Sequence, residues 1–534
     1  MTVIVGGSGA AGLVAALAAA TAGADVLILE RSDLLGGTTA LGGGRVWVPA
    51  NHCPPNAGDS PDAARAYLDG LFPARYAHMT EAFLASAPTM ARFVESATRH
   101  RFAACPSYPD YHPERLGATG GGRCLDMLPA DLSVMVPLAR RVRVPPGYLP
   151  MTHAEWERWR YPARFDWDLL RERMEAGIRT NGVALAAALV DGAIRAGARI
   201  ETGARLVEVT GAGGAVSHAV IERGAPPDRG AAAQIPATAV ILACGGFDWD
   251  EDLRRAWHPA AQRATGASPG NAGDALRIAG RLGARTDNLA EGWWMPMLAV
   301  PGEEVDGRPY PRSLIRERAL PRQVMVNAAG RRFVDEAAPY NEVGKAMHRR
   351  DPGGCPNDPA YLIFDARFAR TYSLPGFSGA KVPGWMPRDE SLAGLAGRIG
   401  VDPEGLVATI ARWNDSCAGG TDTEFGRGGN AYDRYGGDPG APGAQNSAPN
   451  LGPLTDPPFY AARVLAGTIG TKGGPVTDVT GTVLTEAGIP IKGLYAAGNA
   501  AAFWTGDAYP APGATLGIAM TMAYIAGRHA AGII

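Results

Sequence analysis

The sequence predicts an α/β fold in which a parallel sheet is split along the chain by an inserted α+β unit. Three observations predict this arrangement. The chain opens with an apolar strand, a glycine-rich turn, an alanine-rich segment and a second apolar strand that ends at residue 30. Apolar runs within 237–246 and 493–499 each end in glycine, and we expect both to return to the opening sheet. Between these runs, from about residue 288, the texture changes to segments rich in Trp, Pro and Arg.

The first turn carries a dinucleotide-binding pattern. Gly7, Gly9 and Gly12 give the spacing G-x-G-x-x-G, and Ala10 begins the helix that follows. Glycines at this spacing permit the tight turn, the approach of backbone to a pyrophosphate and close helix–strand packing, and the helix N-terminus faces the phosphates. Glu30 ends the second strand, where a carboxylate accepts hydrogen bonds from ribose hydroxyls. The sequence therefore predicts a Rossmann-type unit.

A second cluster of glycine and threonine follows the ribose acid, at residues 36–44. A nicotinamide dinucleotide gives no reason for such a cluster, whereas a flavin needs a long backbone-lined groove for its pyrophosphate, ribityl chain and ring. The cluster therefore favours a flavin over a flexible surface loop. Further along, Asp274 opens a helix and is placed either to cap it or to reach a ribityl hydroxyl.

The length of 534 residues exceeds the size at which one hydrophobic core keeps growing, so we expect more than one domain. The predicted boundaries are a first cofactor-binding part at 1–287, an inserted catalytic and substrate domain at 288–455, and a C-terminal cofactor-binding part at 456–534.

Local patterns predict several further elements. Helical spacing of apolar residues occurs within 62–104 and 183–196, and alternating residues predict a strand pair at 198–201 and 206–209. The segment 418–453 is rich in Gly, Pro, Asn and Asp, which is typical of a long surface loop.

Composition excludes several classes of partner. The net charge is −2 with no sustained basic run, so the electrostatic footprint of a nucleic-acid or anionic-membrane partner is missing, and we expect small-molecule partners. The six cysteines lack C-x-x-C spacing, which argues against a metal site and a disulfide framework. The first strand begins at residue 2 or 3, and we find no apolar run of about 18 residues, so we predict a cytoplasmic protein without a membrane span.

Six separated motifs occur in order along the chain, at 37–41, 108–111, 333–340, 470–475, 493–499 and 509–517. On these motifs the chain resembles, over nearly its whole length, the FAD-dependent 3-ketosteroid 1-dehydrogenases of the fumarate reductase/succinate dehydrogenase flavoprotein superfamily. The resemblance implies FAD bound to the split domain. Besides the glycine turn, Ala10 and Glu30, it implies these contacts with FAD: Arg31, Gly37, Thr38, Thr39, Gly43, Gly44, Gly246, Asp274, Gly498, Asn499, Ala514, Thr515 and Leu516.

The resemblance also implies a substrate site built from tyrosines. Tyr340 is the expected base, Tyr111 its hydrogen-bonded helper, and Tyr509 with the backbone N–H of Gly513 is expected to hold the ketone oxygen. The implied reaction is 1,2-desaturation of a 3-ketosteroid, with an external acceptor such as a quinone, a dye or oxygen. Charge gathers on the carbonyl oxygen as the α-proton leaves, so donors aimed there act as an oxyanion hole. Because an ordinary tyrosine has a pKa of about 10, we expect an alkaline pH optimum.

Several alternatives stay open at this point. A desaturase of smaller cyclic ketones of the cyclohexanone type, or a 3-ketosteroid 4-dehydrogenase, shares the flavin and the ketone-binding groups. A fumarate-reductase-type enzyme needs His and Arg for a dicarboxylate, and 470–474 has no histidine. A flavin-binding protein without catalytic activity is the non-enzyme alternative.

Substrate size is left open by departures from the usual steroid-enzyme pattern at Gly42, Ala511, Ile518 and Asp335. Four aromatic residues either narrow the cavity or simply pack in the core: Trp293, Trp294, Phe503 and Trp504.

Overall fold

The computed structural model describes residues 1–54, 59–212, 214–224, 230–260, 262, 264–379, 381–441 and 448–533. Its α-helices are Ala10–Thr21, Gly37–Leu41, Pro61–Asp69, Ala77–Ala97, His153–Trp159, Trp167–Glu175, Asn181–Arg195, Glu251–Trp257, Asp274–Arg281, Tyr340–Met347, Ala366–Thr371, Leu392–Ile399, Pro403–Gly419, Ala431–Gly436 and Ala514–Ala530. None of the helices in these ranges is both long and apolar enough to cross a bilayer.

The first sheet confirms the predicted α/β fold. Its central strands run parallel, because Thr2–Gly6 pairs with Asp25–Glu30 on one side and with Ala239–Leu242 on the other. Pro490–Ala496 adds in parallel beyond Ala239–Leu242, as the apolar run at 493–499 predicted. Across the described residues the order of strands is Ala233–Pro236, Ala215–Arg223, Pro490–Ala496, Ala239–Leu242, Thr2–Gly6, Asp25–Glu30 and Arg199–Thr202. In addition, Thr482–Leu484 pairs with Pro490–Ala496, and Ala204–Ala212 pairs with Ala215–Arg223.

The two faces of this sheet bury different residues, as alternation along a strand requires. Val3 and Val5 join the core formed with the helices, whereas Ile4 joins the core on the opposite face. The helix Ala10–Thr21 packs against Ala514–Ala530, and a Cβ added at Gly527 would lie 2.3 Å from the carbonyl oxygen of Ala15. Small residues therefore let these helices approach closely beneath the glycine turn.

The second sheet is mixed and lies in the inserted region. Among the described residues its strands are Arg312–Ser313, Gly292–Leu298, Phe459–Thr471, Ala360–Asp365 and Gln323–Val326 in that order, with Ala264–Thr265 and Arg388–Asp389 also paired to Phe459–Thr471. We predicted that the cofactor-binding part resumes at 456, but Phe459–Thr471 is central to this second sheet. We therefore propose that the C-terminal boundary lies near residue 472 and that the inserted domain is longer than 288–455.

Three local predictions need correction. The strands Arg199–Thr202 and Ala204–Ala212 both form, but they pair with Asp25–Glu30 and Ala215–Arg223 rather than with each other. Residues 62–104 form most of the helix Pro61–Asp69 and all of the helix Ala77–Ala97, with connections between the elements, and they end in the short strand Phe102–Ala104.

The predicted surface loop at 418–453 is also different. It contains the helix Ala431–Gly436, and several of its polar residues are buried, among them Asp422, Arg427, Asp433 and Asn450. Residues 442–447 of that prediction lie outside the described residues. Asp422 and Arg427 are buried where they pair with Arg332 and Glu336.

Candidate functional site

One continuous groove runs from the glycine turn to a cluster of tyrosines. It begins at the carboxyl ends of the parallel strands, the usual place for a ligand in this class of sheet. Fifteen of the predicted cofactor residues line it: Gly7, Gly9, Ala10, Glu30, Arg31, Gly37, Thr38, Thr39, Gly43, Gly44, Asp274, Gly498, Asn499, Thr515 and Leu516. The same groove is lined by Tyr111, Tyr340, Tyr509 and Gly513. The structure thus brings the two predicted sets together.

The glycine turn leaves room for a phosphate group. Gly7 has φ +107, and a Cβ there would lie 2.4 Å from the carbonyl oxygen of Ala243. A Cβ at Gly12 would lie 2.0 Å from the carbonyl oxygen of Gly7, so Gly12 allows helix packing and does not line the groove. The helix Ala10–Thr21 begins after Gly9, and the hydroxyl of Thr39 takes the N–H of Ala10, which leaves the next N–H groups of the first turn for an anion.

Glu30 is buried at the end of its strand and fits the role of ribose acceptor. Its Oε2 accepts hydrogen bonds from the backbone N–H (3.1 Å) and hydroxyl (2.6 Å) of Ser8, and its Oε1 accepts from the N–H of Ser32 at 3.0 Å. A carboxylate offers about four acceptor sites, so capacity remains for a ribose hydroxyl. Ser8 was missed by sequence reasoning because the motif leaves that position free.

The structure changes the expectation for Asp274. Its carboxylate forms ion pairs with Arg31 (3.4 Å) and Arg205 (Nε to Oδ2, 3.0 Å), so it serves neither as a simple helix cap nor as a free acceptor. Thr38 and Thr39 also hold the groove together, because Thr38 accepts from the N–H of Ser268 at 3.0 Å and Thr39 from the N–H of Ala10 at 3.0 Å. Arg205 and Ser268 were not predicted.

Two other predicted cofactor residues do not line the groove. A Cβ at Gly246 would lie 1.9 Å from the hydroxyl of Thr471, so this glycine allows close packing behind the site. Ala514 is fully buried at the start of the helix Ala514–Ala530. Uncapped helix N-termini, a buried carboxylate and a backbone-lined channel nonetheless form a donor and acceptor set that fits FAD.

The tyrosines meet through their hydroxyl groups and ring edges. Tyr340 is the first residue of the helix Tyr340–Met347, and Tyr509 lies in the loop before Ala514–Ala530. The hydroxyl of Tyr340 donates to the oxygen of Tyr509 at 2.8 Å, and the hydroxyl of Thr515 donates to the same oxygen at 2.9 Å. Both lone pairs of the Tyr509 oxygen are therefore occupied, so its own proton is free to donate into the cavity.

Tyr111 lies beside the tyrosine that it is expected to assist. Its ring meets Tyr340 and Tyr509 edge-on, with centroid distances of 5.6 and 5.2 Å, and its buried hydroxyl has no other hydrogen-bond partner among the described residues. The hydroxyl of Tyr340 is turned toward Tyr509, and the hydrogen bond from Tyr111 to Tyr340 stays a prediction. Burial raises the pKa of Tyr340 well above its ordinary value and the neighbouring Tyr509 adds to this, while the nearby Tyr111 phenol lowers it.

Gly513 is held in a conformation that a side chain would not tolerate. Its φ is +85, and a Cβ there would lie 2.8 Å from the backbone of Arg45. Its carbonyl oxygen accepts from the N–H of Trp47 at 3.0 Å, which fixes the turn beside Tyr509. No described residue accepts its N–H, so that donor is available to a ligand.

The loop before Tyr340 is anchored by a buried network of charges. Arg332 pairs with Glu336 at 2.7 Å and with Asp422 at 2.9 Å, and Arg427 adds a contact to Glu336 at 3.3 Å. The N–H of Met325 also donates to Glu336 at 3.0 Å. Because partly satisfied buried charges are costly, this network fixes the entry to the helix that carries Tyr340.

Asp335 lies beside this network and links stability to pH. Burial raises the pKa of Asp335 to about 8, and the neighbouring carboxylate of Asp433 adds to the rise. Because the folded protein keeps the proton that the unfolded chain loses above about pH 4, stability falls as pH rises from about 4 to about 8. We expect Asp335→Asn to raise the free energy of unfolding by about 2 kcal/mol at pH 8 and much less at pH 5.

Denaturant unfolding of wild type and Asp335→Asn at both pH values measures this effect. Asp252→Asn is the control, because the Asp252 side chain is 91% exposed, and it should leave the pH dependence unchanged. Equal stability differences at pH 5 and pH 8 would contradict the assignment.

Lys472 is a positioning residue that sequence reasoning did not identify. It is fully buried, donates to the carbonyl oxygens of Gly506 (2.9 Å) and Ala508 (2.7 Å), and lies 4.0 Å from the ring of Trp293. Burial lowers the pKa of Lys472 to about 7. It therefore fixes the loop that places Tyr509 and is not itself a groove residue.

We expect Lys472→Met to lower kcat about tenfold with FAD still bound, since two buried carbonyl groups lose their donor and the loop loosens. Steady-state kinetics of the FAD-loaded protein measure this loss of kcat. Lys492→Met is the control, because the Lys492 side chain is exposed. Unchanged kcat in Lys472→Met would show that the loop holds Tyr509 without the ammonium group.

The four aromatic residues that we expected either to narrow the cavity or to pack do the latter. Trp293 packs on Tyr509 with ring centroids 4.6 Å apart and on Phe503 at 4.9 Å, and Trp294 contacts His348. None of Trp293, Trp294, Phe503 and Trp504 lines the described part of the groove. Tyr108, which precedes Tyr111 in the same motif, and Tyr310 do line it.

Comparison with known proteins supports the interpretation of the groove as an FAD site. The sequence pattern of the family described as FAD binding domain matches residues 2–516. The 4-oxocyclohexanecarboxylate 2-dehydrogenase of Sinomonas cyclohexanicum is 40% identical over 99% of this chain and 92% of its own length. The 3-oxosteroid 1-dehydrogenase of Mycobacterium tuberculosis is 35% identical over 99% of this chain and 98% of its own length.

A solved structure gives the same result for the fold. The 3-ketosteroid delta1-dehydrogenase from Sterolibacterium denitrificans, in complex with 1,4-androstadiene-3,17-dione, superposes with a TM-score of 0.90 at 34% identity, covering 99% of each chain. The predicted fold, FAD cofactor and family are confirmed by these matches. The chain therefore belongs to the FAD binding domain family, among the relatives of the 3-oxosteroid 1-dehydrogenases, and it is an FAD-dependent oxidoreductase.

Proposed function

We propose that the protein desaturates a cyclic ketone between its α- and β-carbons. The observation that carries this proposal is the Tyr509 oxygen, which accepts from Tyr340 and Thr515 and so keeps its own proton for a ligand. A ketone oxygen is the acceptor that fits this proton and the N–H of Gly513. Preorganised donors of this kind lower the barrier where charge develops on the oxygen, each by about 3 kcal/mol.

Tyr340 is placed to remove the α-proton. Its oxygen lies 2.8 Å from that of Tyr509, so a ketone bound to Tyr509 brings its α-carbon beside Tyr340. Tyr340 acts as the base in its ionised form, in which it no longer donates to Tyr509, and the hydroxyl of Thr515 is then the group that donates to the Tyr509 oxygen. The C–H electron pair moves into the enolate, and the phenolate oxygen of Tyr340 takes the proton. FAD, when bound, accepts the hydride from the β-carbon. Tyr111 assists by donating its otherwise unpartnered hydroxyl to the phenolate of Tyr340, which lowers the pKa of Tyr340.

Residues of the dinucleotide end hold the cofactor in this proposal. The N-terminus of Ala10–Thr21 receives the pyrophosphate, and Glu30 accepts from the adenosine ribose. Thr38, Thr39 and the Asp274 ion pairs keep the channel open along the rest of the molecule. A quinone, a dye or oxygen is the class of electron acceptor that this proposal expects.

Two substrate classes match the relatives, a 3-ketosteroid undergoing 1,2-desaturation and a single-ring ketone. A 3-ketosteroid 4-dehydrogenase differs from both in the carbon presented to Tyr340. A fumarate-type dicarboxylate is disfavoured at the reaction centre, because hydroxyl groups line it and the ammonium group of Lys472 is turned to backbone carbonyls.

Anaerobic titration of the FAD-loaded protein tests the proposal. We expect a cyclic ketone to bleach the flavin absorbance with one enone formed per flavin; 4-androstene-3,17-dione and cyclohexanone are the first two ketones to compare. If no cyclic ketone bleaches the flavin, the desaturase proposal fails. Robust oxidation of a reduced dye by fumarate would favour the reductase alternative instead.

The pH dependence of turnover follows from the buried tyrosine. Because burial raises the pKa of Tyr340 above 10, its basic form increases about tenfold for each pH unit below that value. We expect kcat/KM to rise steadily between pH 7 and about pH 9, measured with enzyme checked for stability at each pH. A flat profile over this range would exclude a tyrosinate base.

A further inference from the structure

A second cavity adjoins the tyrosine end of the groove. The two cavities share Arg45, Tyr108, Ser313 and Ile315 in their linings, so they lie side by side. The second cavity extends past Tyr432, whose ring lies 5.0 Å from that of Tyr111. A substrate held by its ketone at Tyr509 therefore has room to extend toward this side cavity.

Arg45 lies at the wall that the two cavities share, and a chain of hydrogen bonds holds its side chain there. Its Nε donates to Nδ1 of His153 at 3.1 Å, and the other ring nitrogen of His153 contacts the hydroxyl of Tyr435 at 2.7 Å. Tyr435 in turn donates to Glu157 at 2.6 Å. Burial lowers the pKa of His153 to about 4, so the ring is neutral and accepts from Arg45. Neither Nη nitrogen of Arg45 has an acceptor in the described chain.

Arg316 is the second cation of the side cavity. Its guanidinium stacks on Trp156 at 3.8 Å, and its Nε and Nη2 donate to the carbonyl oxygens of Gly436 (3.2 Å) and Gly437 (3.4 Å). Among the described residues it has no ion pair. Burial lowers the pKa of Arg316 to about 10, and the nearby charge of Arg160 adds to this effect. Arg316 is half-buried, and a carboxylate bound in the cavity would give its guanidinium the partner anion that it lacks.

The acidic groups near these arginines leave Arg316 without a partner anion. Asp126 and Glu157 lie outside both cavity linings and contact the His153 segment, and the charge of Asp126 also raises the pKa of Arg45 and so partly balances that cation. Glu317 does line the side cavity, but its Oε2 accepts from the backbone N–H groups of Ile315 (3.1 Å) and Arg316 (3.0 Å). Its carboxylate therefore serves the local turn and leaves the Arg316 guanidinium without an ion pair.

We propose that Arg316 and Arg45 form a carboxylate-binding subsite, so that the substrate is a cyclic ketone bearing a carboxylate remote from its ketone. The inference rests on the proposed desaturation and names its substrate class. Guanidinium groups suit this task because each presents several N–H donors in a plane that matches a carboxylate. The tyrosines at one end hold the ketone, and the arginines at the other set the orientation of the ring.

A keto acid and its methyl ester differ mainly in the negative charge of the carboxylate, so comparing them measures the contribution of that charge. We expect kcat/KM for 4-oxocyclohexanecarboxylate to exceed that for its methyl ester at least about tenfold, mainly through KM, because a charge-assisted hydrogen bond is lost in the ester. A parallel pair, a 3-ketosteroid with a side-chain carboxylate and its ester, separates a single-ring substrate from a steroid acid. Preference for the acid in either pair supports the subsite, and no preference in both pairs overturns it.

Substitutions at the two arginines test whether these side chains cause the preference for the acid. Arg316→Gln and Arg45→Met should each raise KM for the preferred acid at least about tenfold while leaving KM for the ester within about twofold, and Arg316→Lys should retain part of the preference. Arg308→Met is the control, because Arg308 is exposed and lines neither cavity. Equal changes for acid and ester in both arginine variants would mean that the arginines are only structural.

A binding measurement separates this inference from the desaturation itself. Cyclohexanecarboxylate has no ketone to oxidise, and calorimetric titration of the FAD-loaded protein measures its binding directly. We expect binding to wild type and to Arg308→Met that weakens at least about tenfold in Arg316→Gln. Ketones that bleach the flavin without any acid preference would defeat the subsite alone, whereas acid binding without bleaching would defeat the desaturase proposal alone.

Discussion

Tyr340→Phe is expected to lower kcat by about 10³-fold, the largest effect of any single change that we predict, because removal of a positioned general base costs 10²- to 10⁴-fold. The ring is kept, so its edge-on contacts with Tyr111 and Tyr509 remain. FAD binding should be unchanged, because Tyr340 lies at the substrate end of the groove. Steady-state kinetics across pH 7 to 9 measure the loss, and the residual rate should no longer rise with pH.

Tyr432→Phe is the control for this substitution. Its ring packs on Tyr111, and burial raises the pKa of Tyr432 to about 12, but its hydroxyl has no role in the proposed proton transfer. We expect its kcat to stay within about threefold of wild type. If Tyr340→Phe retained more than about a tenth of the wild-type kcat, another group would have to be the base.

Tyr509→Phe is expected to lower kcat/KM by 10²- to 10³-fold, because one donor to the developing oxyanion is removed. The loss should appear in both kcat and KM, since the same hydroxyl binds the ground-state ketone. Unlike Tyr340→Phe, this variant should keep a rate that rises with pH. Thr515→Val, which removes a hydrogen bond to the Tyr509 oxygen, should give a smaller loss of about tenfold.

Tyr495→Phe is the matched control for this loss. Its hydroxyl contacts His529 at 2.9 Å, away from the groove lining, so turnover should be unaffected. An inactive Tyr509→Phe that has also lost its flavin would count as a folding defect. For this reason the flavin content of each variant is measured with its kinetics. Wild-type KM and kcat in flavin-loaded Tyr509→Phe would contradict the ketone-binding role.

Sequence patterns predicted the dinucleotide half well because its signals are local. The G-x-G-x-x-G spacing, the flanking strands and Glu30 all lie within thirty residues, and backbone geometry requires glycine at Gly7 and Gly12. The tyrosines come from three distant segments, and they were placed by the resemblance rather than by any local pattern. The structure brings all three to one cavity.

Features that depend on long-range pairing could not be predicted. The strand Phe459–Thr471 joins the second sheet through partners about a hundred residues away, such as Ala360–Asp365, and nothing in its own residues specifies that sheet. Asp422 and Arg427 have a loop-like sequence context, yet they are buried by Arg332 and Glu336. The orientation of Tyr340 toward Tyr509 rather than Tyr111 depends on packing in three dimensions.

The same limit applies to lone charged residues. Lys472 lies in a glycine-rich segment that gives no local signal of its role, and its contact with the loop that carries Tyr509 appears only in the fold. Arg45 follows a glycine run, and Arg316 lies in an Arg-rich stretch, so neither stands out along the chain. Their importance comes from the side cavity that both of them line, where the carboxylate of Glu317 bonds to backbone N–H groups instead of to either arginine.

The central claim is that a ketone held at Tyr509 loses its α-proton to Tyr340. Single-turnover reduction of the bound flavin, followed anaerobically in wild type and Tyr340→Phe with the ketone that bleaches wild type, tests it most directly. We predict that both proteins bind the ketone with similar affinity and that bleaching in Tyr340→Phe is about 10³-fold slower. Bleaching of flavin-loaded Tyr340→Phe at the wild-type rate would contradict the claim.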